Sequence, residues 1–375
     1  MLRQYKLRNY NFRLVIYVLA LSIIGYLAIG SARISLQSKH LNGIFMGLGF
    51  MIFASLLDYS LYSKVRWGIY IFNLILLILV LTPLGVAVNG ARRWLSLGIQ
   101  FQPSEMSKIL LILFYAAFIM KYKERLNTFR YIIFMIVLLI VPLFLIYKEP
   151  DLSTSIMLIV TFCIMLLIGG LEYRVILSAI AVVIPLGVIF FSIILQEGQT
   201  ILKGYQITRI LAWLDPEKYA DSAAYQQTNS ITAIGSGMLL GKGLNNNVIA
   251  SVKNGNFISE PQTDFIYAVI GEEMGFIGAA AVIVLLLLIA FECALIAKRS
   301  KDLCGAIIAD AMAGLVCIQG LMNIAVATGF LPNTGIPLPF VSYGLTSLVS
   351  LYFGIGIVLN VGLQGSKRKT STYES

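Results

Sequence analysis

The sequence predicts an all-α polytopic membrane protein with about ten transmembrane helices and a large extracytoplasmic loop between helices 7 and 8. Of its 375 residues, 58% are hydrophobic and 12% are charged, and the mean hydropathy is +0.86. A soluble domain cannot bury so much apolar surface, so lipid must cover most of it. The apolar residues form the long unbroken runs of membrane-crossing helices, not the short alternating segments of a β-barrel.

Ten apolar runs lie between charged or Pro/Gly-rich breaks, and we expect each run to cross the membrane once. In chain order they cover residues 13–31, 41–58, 67–84, 104–120, 131–147, 153–170, 175–195, 265–297, 305–329 and 341–363. Residues 1–375 then form a single integral membrane domain, and residues 196–264 form its large extracytoplasmic loop.

The basic residues predict the orientation of the chain. With a cytoplasmic N-terminus, 17 Lys and Arg residues lie on the cytoplasmic side and 10 on the outer side, while Lys108 lies inside a span. The positive-inside rule therefore places both termini in the cytoplasm, with the chain in a bacterial cytoplasmic membrane. Although the net charge is +10, the basic residues separate apolar runs instead of sharing one surface, so no nucleic-acid partner is expected.

The first polar cluster on the outer side surrounds the start of the fourth span. Arg92 and Arg93, beside the interfacial Trp94, could bind phosphate oxygens in a fork geometry. A helix that starts near position 103 places Glu105 and Lys108 at i and i+3, where they can pair. Ionisable residues at membrane depth are candidates for function, but a structural ion pair and snorkelling side chains explain this cluster equally well.

The second cluster follows the fifth span, where Glu149 and Asp151 flank a proline. Two carboxylates in this position could bind a cation or an arginine from the same side of the membrane. A loop followed by a helix cap is an equally good interpretation, because Asp is well suited to cap a helix N-terminus.

The third cluster lies in the glycine-rich second half of the large loop. Lys242 lies between two glycines, but the spacing is not that of a Walker motif. Glu260 and Asp264 end the loop, and Asp264 lies where polar loop changes to apolar helix. Partial desolvation there would raise the pKa of the Asp264 carboxyl towards that of a general base. A simple N-cap is the competing interpretation.

Further ionisable residues lie inside the predicted spans. Glu272 and Glu273 are deep enough that an unpaired charge would be costly, so at least one should face a polar cavity. Asp310 is expected to pair within the bundle. His40, the sole histidine, is predicted in an outer loop, and the four cysteines lie in apolar segments. These residues predict no metal site, and no Ser-His-Asp or Cys-His nucleophile can be assembled.

The fourth cluster is the segment 328–344, which contains three prolines, several glycines and Ser342. Such a sequence predicts a stiff, non-helical segment that must line protein or water instead of lipid. It could shape a substrate groove or form a structural re-entrant turn.

These clusters together resemble the SEDS family (shape, elongation, division and sporulation), which includes RodA, FtsW and SpoVE. The resemblance is spread over nearly the whole chain, in the order of the family. The matching stretches are NGARRWLSLGIQFQPSEMSK at 89–108, EPDLSTS at 149–155, YQQTNSITAIGSGMLLGKG at 225–243, TDFIYAVIGEEMGFIG at 263–278 and TGFLPNTGIPLPFVSYG at 328–344.

The resemblance implies a ten-span peptidoglycan glycosyltransferase that polymerises lipid II and works with a class B penicillin-binding protein in an elongation or division complex. The essential aspartate of the family corresponds to Asp264, its Arg-Trp motif to Arg93 and Trp94, and its Glu and Lys pair to Glu105 and Lys108. By this resemblance, Asp264 would act as base in an inverting transfer. Arg93, with Lys108 or Lys242, would stabilise the departing pyrophosphate. A divalent cation, Mg²⁺ or Mn²⁺, could share that role, although no ligand set identifies one. The other polar residues of these clusters are expected to contact the substrate, namely Arg92, Trp94, Glu105, Glu149, Asp151, Glu260, Glu272, Glu273 and Ser342.

The sequence departs from the family pattern near the proposed base, where Ser259 and Gln262 replace the usual proline and histidine. Gln262 argues against an essential histidine there. The short termini and early spans favour a RodA-type protein, whereas the 332–339 segment is closer to FtsW or SpoVE. The alternatives to a polymerase are a lipid II flippase, because buried charges in a bundle also suit transport, and a non-catalytic scaffold for the penicillin-binding protein.

Overall fold

A computed structural model describes residues 10–88, 91–96, 100–194, 204–245 and 257–365 of the chain. Parts of the predicted outer loops, including Asn89, Gly90 and residues 246–256, lie outside the described residues, as does the basic C-terminal tail. The helices are α1 (Phe12–Ala32), α2 (Ile34–Leu56), α3 (Ser60–Lys64), α4 (Arg66–Leu81), α5 (Pro103–Lys121), α6 (Phe129–Lys148), α7 (Leu152–Gly169), α8 (Tyr173–Ile194), α9 (Gly204–Leu214), α10 (Tyr225–Ser236), α11 (Ile266–Lys298), α12 (Leu303–Ala327) and α13 (Leu345–Gln364).

Each of the ten predicted apolar runs overlaps one of these helices, which confirms the all-α polytopic fold class. Among the described residues, eight helices are long and apolar enough to cross a membrane, and α4 is a shorter apolar helix. The number of ten spans therefore stays a prediction. The expected start of the second span was wrong, because α2 begins at Ile34. His40 consequently lies buried within α2 and not in an outer loop.

Burial separates a central group of helices from a peripheral one. Nearly every side chain of α5 and α13 is buried, and Phe114, Tyr115 and Phe118 of α5 pack in the centre of the bundle. By contrast, α6 exposes large apolar side chains such as Phe134 and Phe144 along its length. Apolar side chains on the outside of a membrane bundle face lipid, so the peripheral exposure fits a membrane-embedded protein.

A small sheet precedes α5, in a region that the sequence predicts as loop. Strands β1 (Gly85–Val88), β2 (Ala91–Ser96) and β3 (Gln100–Phe101) are antiparallel in the order β1–β2–β3. Leu95 of β2 pairs with Gly85 on one side and Phe101 on the other. Because β2 carries the two predicted arginines and Trp94, this sheet fixes their positions next to α5.

The large outer loop also contains regular structure, since α9 and α10 lie within it. Side chains of these helices donate hydrogen bonds to backbone carbonyls at the C-terminal end of α12. Gln227 donates to the Val326 carbonyl at 2.8 Å, Ser230 donates to the Ala327 carbonyl at 2.7 Å, and Trp213 Nε1 donates to a carbonyl just beyond that helix. The loop is thus attached to the bundle through hydrogen bonds.

Helix α11 is broken at Gly275, which has φ +64° and ψ −164°. The segment 237–243, which follows α10, packs against the break. The Phe276 amide donates to the Met238 carbonyl at 2.8 Å, which replaces a helical hydrogen bond lost at the break. A Cβ on Gly275 would lie 2.3 Å from the Gly241 nitrogen, so this close backbone approach requires glycine.

Candidate active site

Asp264 lies in the turn that precedes α11. Its side chain is half-buried. Among the described residues, none donates a hydrogen bond to its carboxylate. The helix starts at Ile266 with Phe265 as N-cap and without a capping side chain. The N-cap interpretation of Asp264 was therefore wrong, and the carboxylate remains available to an incoming group.

The backbone of the Asp264 turn is held by side chains from two other elements. Asn323 of α12 donates to the carbonyls of Asp264 at 2.8 Å and Ile336 at 2.7 Å. The Ser342 hydroxyl donates to the Thr263 carbonyl at 2.6 Å. Ser342, predicted to bind substrate, instead joins the turn to the 328–344 segment, so that the position of Asp264 depends on this segment.

Gly335 of the 328–344 segment brings an unpredicted residue into the site. Gly335 has φ +72°, and a Cβ there would lie 3.3 Å from Asp264 Oδ2 and 3.9 Å from Nη1 of Arg209. Arg209, from α9, also donates to the Asn333 carbonyl at 3.4 Å. An arginine from the large loop thus lies beside the candidate base. No local pattern in the sequence indicates its role, because its neighbours here are distant in the chain.

Arg93 approaches the same region from the sheet. Its Nε donates to the Glu149 carbonyl at 3.1 Å, and its Nη2 donates to the Pro150 carbonyl. The predicted contact between an arginine and the second cluster therefore exists, but it uses backbone carbonyls and not the two carboxylates.

The Glu149 side chain is fully buried, and among the described residues neither of its carboxylate oxygens has a hydrogen-bond partner. Burial and, to a smaller extent, the Asp151 charge raise the pKa of Glu149, and Arg93 lowers it, so that the pKa is about 9. Glu149 is thus neutral at pH 7. Its enclosure leaves no surface for the predicted contact with a substrate.

Asp151 caps α7, as one of the two sequence interpretations predicts. Its Oδ1 accepts from the Thr154 amide at 3.1 Å, and its Oδ2 accepts from Gln102 and Ser104 at 3.1 Å each. The carboxylate is buried and joins the N-termini of α5 and α7. Its hydrogen bonds therefore explain Asp151 as a structural residue.

Glu105 and Lys108 form the predicted i, i+3 ion pair, with Nζ and Oε1 3.0 Å apart. Lys108 also donates to Oε1 of Gln319 on α12 at 2.9 Å. Both charged side chains are almost completely buried, so neither has the exposed surface that the predicted direct contact with substrate requires.

Three other predicted residues are exposed or half-buried. Arg92 is exposed and donates to the Thr82 carbonyl at the end of α4, at 3.4 Å. Trp94 is half-buried in β2. Glu260 is exposed and accepts a hydrogen bond from Gln262. Of these residues, Glu260 is near enough to influence the charge of Asp264.

The charges around Asp264 have opposing effects on its carboxyl group. Burial raises the pKa of Asp264, Arg209 and then Arg93 lower it, and Glu260 and Asp151 raise it. A carboxylate with raised proton affinity beside two cations can accept a proton and is close to groups that can stabilise an anion.

Lys242 and Glu272 form a second site, deeper along α11. Their Nζ and Oε1 atoms are 2.8 Å apart. Both line a cleft of about 210 Å³ that Asn229, Thr232, Ala233, Ser236 and Phe257 complete. The expectation that one of the paired glutamates faces a polar cavity is confirmed for Glu272, whereas Glu273 is buried and accepts from the Ser31 hydroxyl at 2.5 Å.

Within the described ranges, no three His, Cys, Asp or Glu side chains are grouped to hold a metal ion.

Comparison with known proteins gives concordant matches. The sequence matches the FtsW, RodA and SpoVE family model, described as "cell cycle protein", over residues 8–367. It is 33% identical to the probable peptidoglycan glycosyltransferase FtsW of Trichlorobacter lovleyi, over 96% of this chain and 94% of the relative. It is also 33% identical to the peptidoglycan glycosyltransferase MrdB of Escherichia coli, over 93% and 92% of the two chains. The two identities are equal, so the RodA-type assignment stays a prediction.

The fold matches a chain from a structure described as the coordination of polymerization and crosslinking by a peptidoglycan synthase complex. The TM-score is 0.75 at 27% sequence identity, over 94% of this chain and 97% of the other. The bundle and its outer elements therefore have a counterpart in a solved structure.

Proposed function

This chain belongs to the FtsW, RodA and SpoVE family and is a peptidoglycan glycosyltransferase, and we propose that it polymerises lipid II with Asp264 as general base. The observation that carries the proposal is the half-buried Asp264 carboxylate, which is held through its backbone and lies beside Arg209 and Arg93. A fixed proton acceptor next to cations suits a reaction that releases a proton and an anionic leaving group.

In the proposed step, the 4-hydroxyl oxygen of the acceptor's terminal GlcNAc attacks the anomeric carbon of the donor. The new glycosidic bond forms as the bond to the undecaprenyl pyrophosphate breaks, with inversion at that carbon. The hydroxyl proton passes to Asp264, and the bonding electrons leave with the pyrophosphate. Asp264 acts as base because its raised pKa increases its proton affinity while the carboxylate stays accessible.

The leaving pyrophosphate needs positive charge, and the site supplies arginines. Arg209 and Arg93 both influence Asp264 electrostatically, and a guanidinium can donate two parallel hydrogen bonds to phosphate oxygens. Lys108 is a poor candidate because it is buried against Glu105 and Gln319. Lys242, which lines the cleft beside α10, remains a proposed contact for the lipid-linked substrate.

The cellular setting follows from the same proposal. The chain is a multi-pass membrane protein, and its distribution of Lys and Arg supports a bacterial cytoplasmic membrane with both termini inside. The site would then face outward. A class B penicillin-binding protein is the proposed partner, within an elongation or division complex, since the matching structure concerns polymerization coordinated with crosslinking.

The test is glycan polymerisation from purified lipid II, with and without the class B partner. We expect Asp264→Asn to lower the rate by about 10²-fold to 10⁴-fold, because the variant keeps the shape but loses the base. Asp221→Asn, which changes an exposed carboxylate of the same outer loop, is the matched control and should retain activity.

Retained polymerisation by Asp264→Asn would remove Asp264 from this role. Absence of polymer from the wild type, with the partner verified as bound, would instead favour transport or scaffolding. Transport of lipid II across vesicle membranes then separates those two functions.

A further inference from the structure

We propose that Gln319 is a positioning residue for the base, and that Glu105 and Lys108 act through Gln319 instead of contacting the substrate. This inference rests on the proposed role of Asp264 and adds the part of the structure that holds its carboxylate in place. It begins from two carboxamides on one face of α12.

Gln319 and Asn323 are four residues apart, so their side chains lie on the same face of α12. Both are fully buried. Gln319 Nε2 donates to the Pro337 carbonyl at 3.0 Å, and Asn323 Nδ2 donates to the neighbouring Ile336 carbonyl at 2.7 Å. Two consecutive carbonyls of the 328–344 segment are therefore held by successive turns of one helix.

This segment depends on its carbonyls because it has few donors of its own. Pro337 and Pro339 lack a backbone N–H, so neither residue can donate a hydrogen bond from its own backbone. A Cβ built on the adjoining Gly335 would lie 3.3 Å from Asp264 Oδ2, so the backbone of this segment passes close to the carboxylate. A shift of residues 335–337 would consequently change the space around the carboxylate.

Lys108 determines which way the Gln319 amide points. The lysine ammonium can only donate hydrogen bonds, so Gln319 must present its oxygen to Lys108 and its NH₂ group to Pro337. Glu105 in turn holds Lys108 at 3.0 Å. The chain of contacts thus runs from the ion pair in α5, through Gln319, to the segment beside Asp264.

Asn323 completes the connection to the base, because the same amide group also donates to the Asp264 carbonyl at 2.8 Å. The 328–344 segment and the Asp264 turn share this donor. Displacement of one of them therefore changes the geometry of the other.

The experiment is a double-mutant cycle on lipid II polymerisation, with the class B partner present and kcat and KM measured separately. Gln319→Leu and Lys108→Met should each lower kcat by about 10-fold to 100-fold while KM stays within a factor of about 2, because a small misplacement of a catalytic group slows chemistry more than binding. The double variant should be no slower than the worse single variant, since both changes disrupt one path.

Gln319→Glu keeps the acceptor for Lys108 but removes the donor to Pro337. We expect this variant to lose some thermal stability, because it adds a second buried carboxylate beside Lys108, and to show the kcat loss of Gln319→Leu. If Lys108→Met does not accumulate in membranes, the kcat of Gln319→Glu alone tests the proposal. Asn360→Asp places a carboxylate at another buried carboxamide, on α13, and serves as the control for a new acidic group in the bundle.

Normal kcat in Gln319→Glu and Gln319→Leu would overturn the proposal. Additive losses in the cycle, or an effect on KM alone, would also overturn it and would indicate direct substrate contact by Lys108. The wild type and Asp264→Asn test the proposed function separately from this inference. If the proposed function is wrong, the wild type makes no polymer or Asp264→Asn makes as much polymer as the wild type, and either result is seen before the cycle is measured.

Discussion

Two ion pairs of this protein have similar geometry and differ in the exposure of their lysines. Glu105 and Lys108 lie 3.0 Å apart within one helix, and their side chains are 5% and 3% exposed. Lys242 and Glu272 lie 2.8 Å apart between the 237–243 segment and α11, and their side chains are 28% and 4% exposed, so the two pairs differ at the lysine. The distance between the charges therefore does not distinguish a positioning pair from a pair that can meet a ligand, whereas the exposure of the lysine does.

The environment also decides what each pair contributes to stability. A buried pair has lost its hydration, so removal of one partner leaves an uncompensated charge in a medium that solvates it poorly. A pair whose lysine is partly exposed retains part of its hydration, so breaking that pair costs less. Single substitutions can test this difference.

The largest effect is expected when the buried pair is broken on one side. Lys108→Met leaves the Glu105 carboxylate without its cation and should lower the free energy of unfolding by about 3–5 kcal/mol. Thermal unfolding of the detergent-solubilised protein measures the loss. The double variant Glu105→Gln/Lys108→Met should recover most of it, and equal instability of the single and double variants would contradict this explanation.

A third buried carboxylate, without a hydrogen-bond partner among the described residues, sharpens the comparison. Folding raises the pKa of Glu149 from 4.5 to about 9, so between these pH values the folded protein holds a proton that the unfolded chain has released. The free energy of unfolding therefore falls as the pH rises through this window. Glu149→Gln is permanently neutral and should be more stable than the wild type, with a difference that grows from about pH 5 to about pH 9.

The melting temperature of both proteins across this pH range tests the prediction. Glu217→Gln, which changes an exposed glutamate of the outer loop, should follow the wild type at every pH. A constant difference between Glu149→Gln and the wild type would show that Glu149 does not titrate as its burial requires.

The smallest effect on stability is expected at the exposed end of the comparison. Lys242→Met should lower the free energy of unfolding by less than Lys108→Met does, because the Lys242 side chain is 28% exposed, although that of Glu272 is only 4% exposed. If Lys242 contacts the lipid-linked substrate, KM for lipid II should rise several-fold while kcat changes little, and added salt should weaken wild-type binding. Lys218→Met, at an exposed loop position, is the matched control.

Long apolar runs predicted the helical fold because one span needs about 20 such residues, and this signal is difficult to mistake. The Glu105–Lys108 pair was predictable from i, i+3 spacing alone. The strands before α5 were not, because β1 and β3 have only four and two residues and show no alternation long enough to identify. The start of α2 was missed since its first turns are polar.

The supporting residues of the site escaped prediction for a different reason. Gln319 and Asn323 are uncharged residues in an apolar span, and their importance comes from carbonyls of a segment that folds back onto α12. Arg209 likewise acquires its role through α9, which brings it to Gly335. Asp151 could be interpreted as either a ligand or a cap, and the structure identifies the cap through bonds to α5 and α7.

The break at Gly275 also constrains how the chain is assembled. The amides of Phe276 and Ile277 bond to the 237–243 segment, which is synthesised before α11 and belongs to the outer loop. Until that segment has folded back onto the helix, these amides cannot reach their final partners, and lipid offers no substitute. The 237–243 segment and α11 therefore form one cooperative unit during assembly, in which packing of the segment precedes the final bend of the helix.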